Sequence, residues 1–362
     1  MNGKRLIYTI LRFALGVLFL FSGFAKAIDP WGTAIKFGEY FAAMGLNSPE
    51  WSKFALSILL SGLEMGLGIS VLLGACMKLS SFGLLCFMLI FTPLTLWAAV
   101  AEPVEDCGCF GDLLKISNWA TFGKNLVLLL MAAMLFILAE CAKRSSWLNW
   151  LKFCGSFVIS FGIGLYSLLH LPLIDVLSYK VGTSLVEAVR TGITFDGDIE
   201  TTLIYRNLYT GENKEFKLSD PEWQDAARWE YVDTRIVQKG TVKHHADFSV
   251  FGTEGNITED ILSSPRRVYL LCLASPTDIN ESCRTRMAGL ARQAVGNGNM
   301  VLGITSSLIS DRDLYLNDML IPLYNMDATA LKTMLRAKYG VVVIENGTII
   351  EKRNCRDIRI GN

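Results

Sequence analysis

The chain has 362 residues, of which 51% are hydrophobic and only 19% charged. Its mean hydropathy of +0.36 is too high for an ordinary soluble protein and indicates an integral membrane protein. Lysine plus arginine balance aspartate plus glutamate at 34 each, so no global field points to nucleic acid, and that class of partner is excluded.

The composition is uneven along the chain: residues 1–172 hold the apolar runs and residues 173–362 hold most of the acids. A first run, 6–27, follows Lys4-Arg5 and is long enough to cross a bilayer as a helix. It ends in Ala25-Lys26-Ala27, which has the small-residue spacing of a signal-peptidase site. The length of the run and the lysine inside the motif argue for a retained helix. The loop over 29–51 contains an amphipathic piece whose Ile35, Tyr40, Phe41 and Met44 are expected to lie on the membrane surface.

Four further runs, at 54–76, 79–101, 119–141 and 151–171, bring the expected spans to five. Lys4, Arg5, Arg12, Lys78, Lys143, Arg144 and Lys152 fall at one face, which the positive-inside rule makes cytoplasmic. The N-terminus is then inside, while the loop after the third run and everything beyond Pro172 are outside. The expected location is the plasma (inner) membrane, multi-pass in the lipid bilayer, with an extracytoplasmic or periplasmic C-terminal domain.

The outer loop carries Asp106-Cys107-Gly108-Cys109-Phe110-Gly111-Asp112. A disulfide across Cys107 and Cys109 closes a very small ring, and the central glycine lets the backbone bend that far. Strained, accessible disulfides are oxidising and exchangeable, so the pair is a candidate catalytic dithiol in a compartment where disulfides persist. Two thiols in a tight turn without redox chemistry are the alternative. A metal site on Cys107 and Cys109 with Asp106 or Asp112 lacks further soft ligands nearby, and none is expected.

Two ionisable residues fall within spans. Glu64 is near the middle of the second run and Lys26 near the outer end of the first. Charges at membrane depth are costly and usually paired, and antiparallel neighbours bring these two within reach. The pair either fixes helix register or, as accessory groups, handles protons or contacts a quinone.

Beyond Pro172, residues 200–205 and 214–218 alternate around Thr210-Gly211-Glu212-Asn213 as a hairpin. His244-His245 point to opposite faces if extended and are poor joint ligands. From 246 onward, a lead-in strand and turn precede a buried strand over 267–274, a helix over 281–295, a buried strand over 300–305 and a helix over 328–338. A hairpin then turns at Asn346-Gly347. The order is α/β with a mixed sheet.

That order, with Ala246-Asp247-Phe248 leading in, resembles a membrane-anchored thioredoxin-like domain of the TlpA/MauD type. The family's Cys-x-x-Cys corresponds to Asn280-Glu281-Ser282-Cys283, so the attacking cysteine is replaced by Asn280, and the family's cis-proline position is Tyr339-Gly340. The resemblance therefore implies a degenerate thioredoxin fold for partner docking, with Cys283 as a single reactive thiol or a buried inert one. A Cys283–Cys355 pairing is open.

Residues 1–142 resemble the DoxX/MauE superfamily of redox-associated membrane proteins. Phe19-Leu20-Phe21-Ser22-Gly23-Phe24-Ala25-Lys26, Glu64 and Cys107-Gly108-Cys109-Phe110-Gly111 carry that resemblance. It implies a four-helix bundle at 1–142, a fifth, tethering helix at 143–172, a β-rich connector at 173–245 and the thioredoxin-like domain at 246–362. The function it implies is thiol–disulfide exchange with an extracytoplasmic protein substrate or redox partner, as in maturation of a methylamine-type dehydrogenase. Re-oxidation of Cys107 and Cys109 would need an electron acceptor, for which a membrane quinone is the candidate. The alternative is a non-enzymatic scaffold or assembly factor with a structural Cys-x-Cys loop.

Overall fold

In the computed structural model the N-terminal half forms α1 (Gly3–Ile28), α2 (Pro30–Ala43), α3 (Glu50–Leu73), α4 (Met77–Ala101), α5 (Asn118–Leu138) and α6 (Trp147–Leu169). The structure describes residues 3–102, 104, 108, 116–139, 147–175, 178–190, 195–196, 199–207, 213–217, 228–238, 241–242, 248–252, 255–307 and 313–359. Every one of these six helices except α2 is long and apolar enough to cross a membrane. Apolar side chains such as Ile10, Ile90, Leu130 and Val158 stay outward-facing, as a lipid solvent permits.

The bundle is organised around α3, whose apolar window is 56% buried against 22–33% for the other four spans. A Cβ on Gly23 would meet the backbone of Met65, and one on Gly68 would meet the backbone of Leu20. Small residues thus let α1 and α3 pack with their backbones nearly touching, the usual way membrane helices gain dispersion energy where water drives nothing. Phe161 and Phe157 of α6 lie over Gly62 and Gly66 on another face of α3. Leu15, Phe19, Val71, Leu84, Ala132 and Leu135 close the core between α1, α3, α4 and α5.

Two cations of the positively charged face act as helix caps. Arg12 donates from Nε to the Val71 carbonyl at 2.8 Å and from Nη2 to that of Leu72 at 2.6 Å. Lys78 donates from Nζ to the Phe136 carbonyl at 2.8 Å. Both bind carbonyls in the last turns of α3 and α5, where a positive charge suits the helix dipole.

Residues 184–249 cluster as a separate unit. It contains the short α7 (Leu185–Arg190) and a three-stranded antiparallel sheet with Ile199–Asn207 between Asn213–Lys217 and Trp229–Gln238. His244-His245 lie outside the described residues.

The C-terminal part contains α8 (Thr258–Leu262), α9 (Glu281–Gly296), α10 (Ala328–Leu335) and a mixed sheet. The buried strand Val268–Leu273 is central, parallel to Met300–Thr305 on one side and antiparallel to Tyr339–Glu345 on the other. Tyr339–Glu345 continues into Thr348–Asn354 through a turn in which Asn346 and Gly347 have φ of 49° and 70°, as an Asn-Gly hairpin requires. Val250–Gly252 and Met319–Met326 extend the opposite edge.

Met319–Met326 is not apparent from the sequence because Pro322 interrupts its pattern. Pro322 sits opposite Asp313 of the antiparallel strand Asp313–Leu316, just before the strand begins pairing with Met300–Thr305 at Leu323, so its missing N–H disturbs little of the ladder.

The chain leaving α6 runs against this sheet. Gly182 N–H donates to the Ile349 carbonyl at 2.7 Å, and Ile349 N–H to that of Thr183 at 3.0 Å. Lys352 donates to Asp175 at 2.6 Å, and His170 Nδ1 lies 2.7 Å from Asp357.

Candidate functional site

Lys26 lies in the last turn of α1, where the tight α1–α3 crossing at Gly23 brings it to α3. Its Nζ donates to Glu64 Oε2 at 2.8 Å and to Ser22 Oγ at 2.8 Å. Both ionic side chains are under 10% exposed. A buried charge needs both a partner and hydrogen bonds to be tolerated, and this pair has them.

The pair lines a cavity of about 210 Å³. α1 contributes Phe19, α4 contributes Phe87 and Phe91, and α5 contributes Lys124 and Asn125. Phe19 meets Phe87 edge-on at 5.5 Å between centroids, and Phe87 stacks on Phe91 at 4.4 Å, geometries that aromatic quadrupoles favour.

The roof is α2. Asp29 caps it by accepting from Gly32 N–H at 3.0 Å, and Pro30 occupies its first position, a strong start for a helix. Tyr40, Phe41 and Met44 of the stretch expected at the membrane surface line the cavity, and Met44 is also exposed. The same amphipathic face has found an apolar partner within the chain, and Tyr40 packs 6.2 Å from Trp97 of α4.

Cys107 and Cys109 lie outside the described residues. Gly108 between them is described: it has a φ of 63° and lines the same cavity as Lys26 and Glu64. A Cβ placed there would come within 3.3 Å of the Lys36 side chain of α2. A positive φ with a crowded Cβ position suits glycine better than any other residue. No feature of the sequence linked α2 to this loop.

Cys283 is elsewhere and is not a free thiol. It forms a disulfide with Cys355 across 72 residues, with Cα atoms 5.5 Å apart and both residues buried. The expectation of a single reactive or inert thiol at Cys283 is therefore corrected, because the final strand delivers Cys355 to the first turn of α9. Asn280 is the N-cap of α9, and its side chain accepts from Cys283 N–H at 2.8 Å. Cys272 on the central strand is buried, and that burial pushes its thiol pKa up to about 12. Among the described residues no group of three or more His, Cys, Asp or Glu is placed to hold a metal ion.

A bundle of apolar helices with a paired charge in its interior, followed by a mixed-sheet domain, defines a multi-span membrane protein. Residues 4–138 match the family described as "Methylamine utilisation protein MauE", an interval that closes at the last residue of α5. The membrane half is thus MauE-like. No curated protein and no solved structure matches the chain.

Proposed function

We propose that this protein is a membrane component of thiol–disulfide exchange acting on extracytoplasmic proteins, with Cys107 and Cys109 as the exchanging pair. The observation that carries this is Gly108, the centre of the motif, lining one cavity with the Lys26–Glu64 pair. A glycine set between two cysteines and lining a chamber with ammonium groups supports a setting in which a thiolate is stabilised.

Arg12 and Lys78 cap helices at the end of the bundle opposite Lys26, and the positive-inside rule then makes that end cytoplasmic. The Cys-x-Cys loop and the mixed-sheet domain are accordingly extracytoplasmic, in keeping with a buried Cys283–Cys355 disulfide.

The mixed-sheet domain is read as thioredoxin-like. Its central strand is followed by a helix, a parallel strand, the added strands Asp313–Leu316 and Met319–Met326, a second helix and a C-terminal hairpin, with α9 starting where a redox motif would stand. Asn280 as a cap and Cys283 in a disulfide leave that position without an exchanging dithiol, so its role is to hold a partner protein. The same observation favours the second reading, a scaffold with a structural Cys-x-Cys loop. By likeness to MauE, a client in methylamine utilisation is one candidate.

The test is acid-quenched thiol trapping in intact cells, comparing wild type with Cys107→Ser and Cys109→Ser. A resting Cys107–Cys109 bond that reduces readily, together with single variants that accumulate a mixed disulfide with another protein, is expected for exchange. Free thiols throughout, or a bond that resists reduction and matters only to stability, would leave the scaffold reading.

A further inference from the structure

We propose that the chamber between the membrane bundle and the mixed-sheet domain binds an anionic phospholipid, with the headgroup phosphate among lysines of both halves and an acyl chain along α3 and α6. The site is separate from the cavity holding Lys26 and Glu64 and does not depend on exchange by the cysteines. α2 divides the two: Thr33, Phe37 and Tyr40 line the inner cavity, whereas Trp31, Ala34 and Gly38 line the chamber.

The chamber has two adjoining parts, of about 550 and 160 Å³, which share Trp31, Glu50, Phe54 and Lys332. The larger part falls in the range of roughly 300–1,000 Å³ that ligand pockets occupy. Its walls come from both halves of the chain, with Ile58 of α3 and Leu168 of α6 facing Ala274 and Lys338 of the domain.

Those walls are amphipathic. Ile58 and Leu168 belong to helices long and apolar enough to cross a membrane. Glu50 and Lys53 stand at the start of α3, ahead of Ile58, so the polar end is the one nearer the domain. Among the described residues the lining has Lys53, Lys332 and Lys338 against one carboxylate, Glu50. Glu50 lies 3.5 Å from Lys332 with 71% of its side chain exposed, a solvent-screened contact that contributes little. No carboxylate pairs with Lys53 or Lys338 among the described residues; the Lys338 ammonium lies 5.5 Å from the centre of the Tyr339 ring. The chamber is therefore positive at the same end at which it is polar.

Trp31 supplies an independent observation. Its ring is held edge-on to Phe54 at 4.6 Å between centroids, and its Nε1 is buried without a hydrogen-bond partner. A buried donor left unmade is costly, and an acceptor oxygen of a ligand removes that cost. Trp51, which also lines the chamber, is 72% exposed. Indole rings in such positions mark the level at which lipid heads meet lipid tails.

These features select the occupant. A free phosphate or other water-soluble anion gains nothing from Ile58, Phe54 and Leu168. A neutral hydrocarbon leaves the Trp31 N–H and two lysines unused. A phospholipid meets both ends, since its phosphodiester offers charged acceptor oxygens and lysine binds phosphate as a point charge. Basic pockets beside membrane helices hold anionic headgroups by this means. A zwitterionic head carries the same phosphate but adds a cation that the lysines repel. Because α3 and the domain both line the chamber, the bound lipid bridges the two.

The experiment titrates full-length protein in detergent with dioctanoyl phosphatidylglycerol and, in parallel, with dioctanoyl phosphatidylcholine and inorganic phosphate. Bound lipid is counted by native mass spectrometry, and the unfolding midpoint of each variant without lipid shows that it is folded. Saturable binding of phosphatidylglycerol is expected, about tenfold tighter than phosphatidylcholine, and Lys53→Gln/Lys338→Gln should weaken it about tenfold or more. Trp31→Phe, which keeps a ring and removes the donor, should weaken it severalfold. Ala55→Trp should fill the chamber and abolish it, and Lys4→Gln in the first turn of α1 should change nothing. Absence of saturable phosphatidylglycerol binding by folded wild type overturns the site. Equal affinity for the two lipids overturns the anionic class, and displacement by inorganic phosphate overturns the lipid in favour of a soluble anion. Unchanged binding in both the folded lysine double variant and folded Ala55→Trp overturns the location.

Discussion

Arg336, the last residue of the α10 cap, is only 3% exposed and lies 3.3 Å from Asp29, the residue that caps α2. One carboxylate thus holds the start of the helix that roofs the membrane cavity and the end of a helix in the mixed-sheet domain. Lys332, one turn earlier, lies 3.5 Å from Glu50 at the start of α3.

Because these two jobs of Asp29 have different chemistry, substitutions separate them. Asp29→Asn retains an N-cap oxygen but removes the charge, leaving Arg336 buried without its ion pair. Breaking a buried pair costs about 3–5 kcal/mol, whereas losing a cap alone costs about 1 kcal/mol. Hydrogen exchange should report faster opening of α10 in Asp29→Asn, and of both α2 and α10 in Asp29→Ala. Equal, unaltered protection at α10 in both variants would mean that the ion pair holds nothing.

The Lys26–Glu64 pair should behave as a unit. Lys26→Met or Glu64→Gln alone leaves one buried charge uncompensated and should lower thermal stability in detergent by about 3–5 kcal/mol. The double variant Lys26→Met/Glu64→Leu should recover most of that loss, since apolar replacement of a whole buried pair is often neutral. Failure of the double variant to recover stability would mean that the two charges do not act as a pair.

A methyl group is enough to test the α1–α3 crossing. Gly23→Ala drives a Cβ into the Met65 backbone, which cannot rotate away. The expected loss is about 1–3 kcal/mol for overpacking, and because Lys26 lies one turn beyond, its contact with Glu64 should open as well. Gly155→Ala, where a Cβ meets nothing, is the control. Similar unfolding midpoints for the two would contradict a backbone contact at Gly23.

Cys272 makes a pH prediction. Its folded pKa is raised by burial from 9.0 to about 12, so the folded state keeps its proton where the unfolded chain has lost it. Stability from this group is fully present below pH 9.0 and declines as pH rises toward about 12. Alkylation of Cys272 in native protein at pH 8 should be negligible and become rapid in denaturant. Cys355→Ser should leave that protection intact while destabilising the domain by about 2–4 kcal/mol through loss of the disulfide. Rapid labelling of native Cys272 would show that the central strand is open.

Much of the fold was legible in short-range pattern. Apolar runs at bilayer length mark the spans, and the continuous apolar stretch ending at Ala274, the strand at Met300–Thr305 and the Asn-Gly turn mark the sheet. Met319–Met326 was hidden by Pro322, whose neighbours in space excuse a missing donor. α2 was recognised as amphipathic, and the structure adds that its Tyr40 and Phe41 line the cavity of the bundle. Periodicity tells which side of a helix is apolar and says nothing about what covers it.

The same division holds for the site. The sequence by itself determined that the protein is built into a membrane, that Lys26 and Glu64 are too costly to stand unpaired there, and that two cysteines flank a glycine in a loop. Hydropathy and charge are local properties, so they can be read from the chain. Only the tertiary structure decided that Gly108 shares a cavity with Lys26 and Glu64, that α2 roofs it, and that Cys283 is consumed in a bond to Cys355. Those are contacts between residues far apart in sequence, made by the close crossing of α1 and α3 and by the return of the last strand, and no single stretch of the chain encodes them.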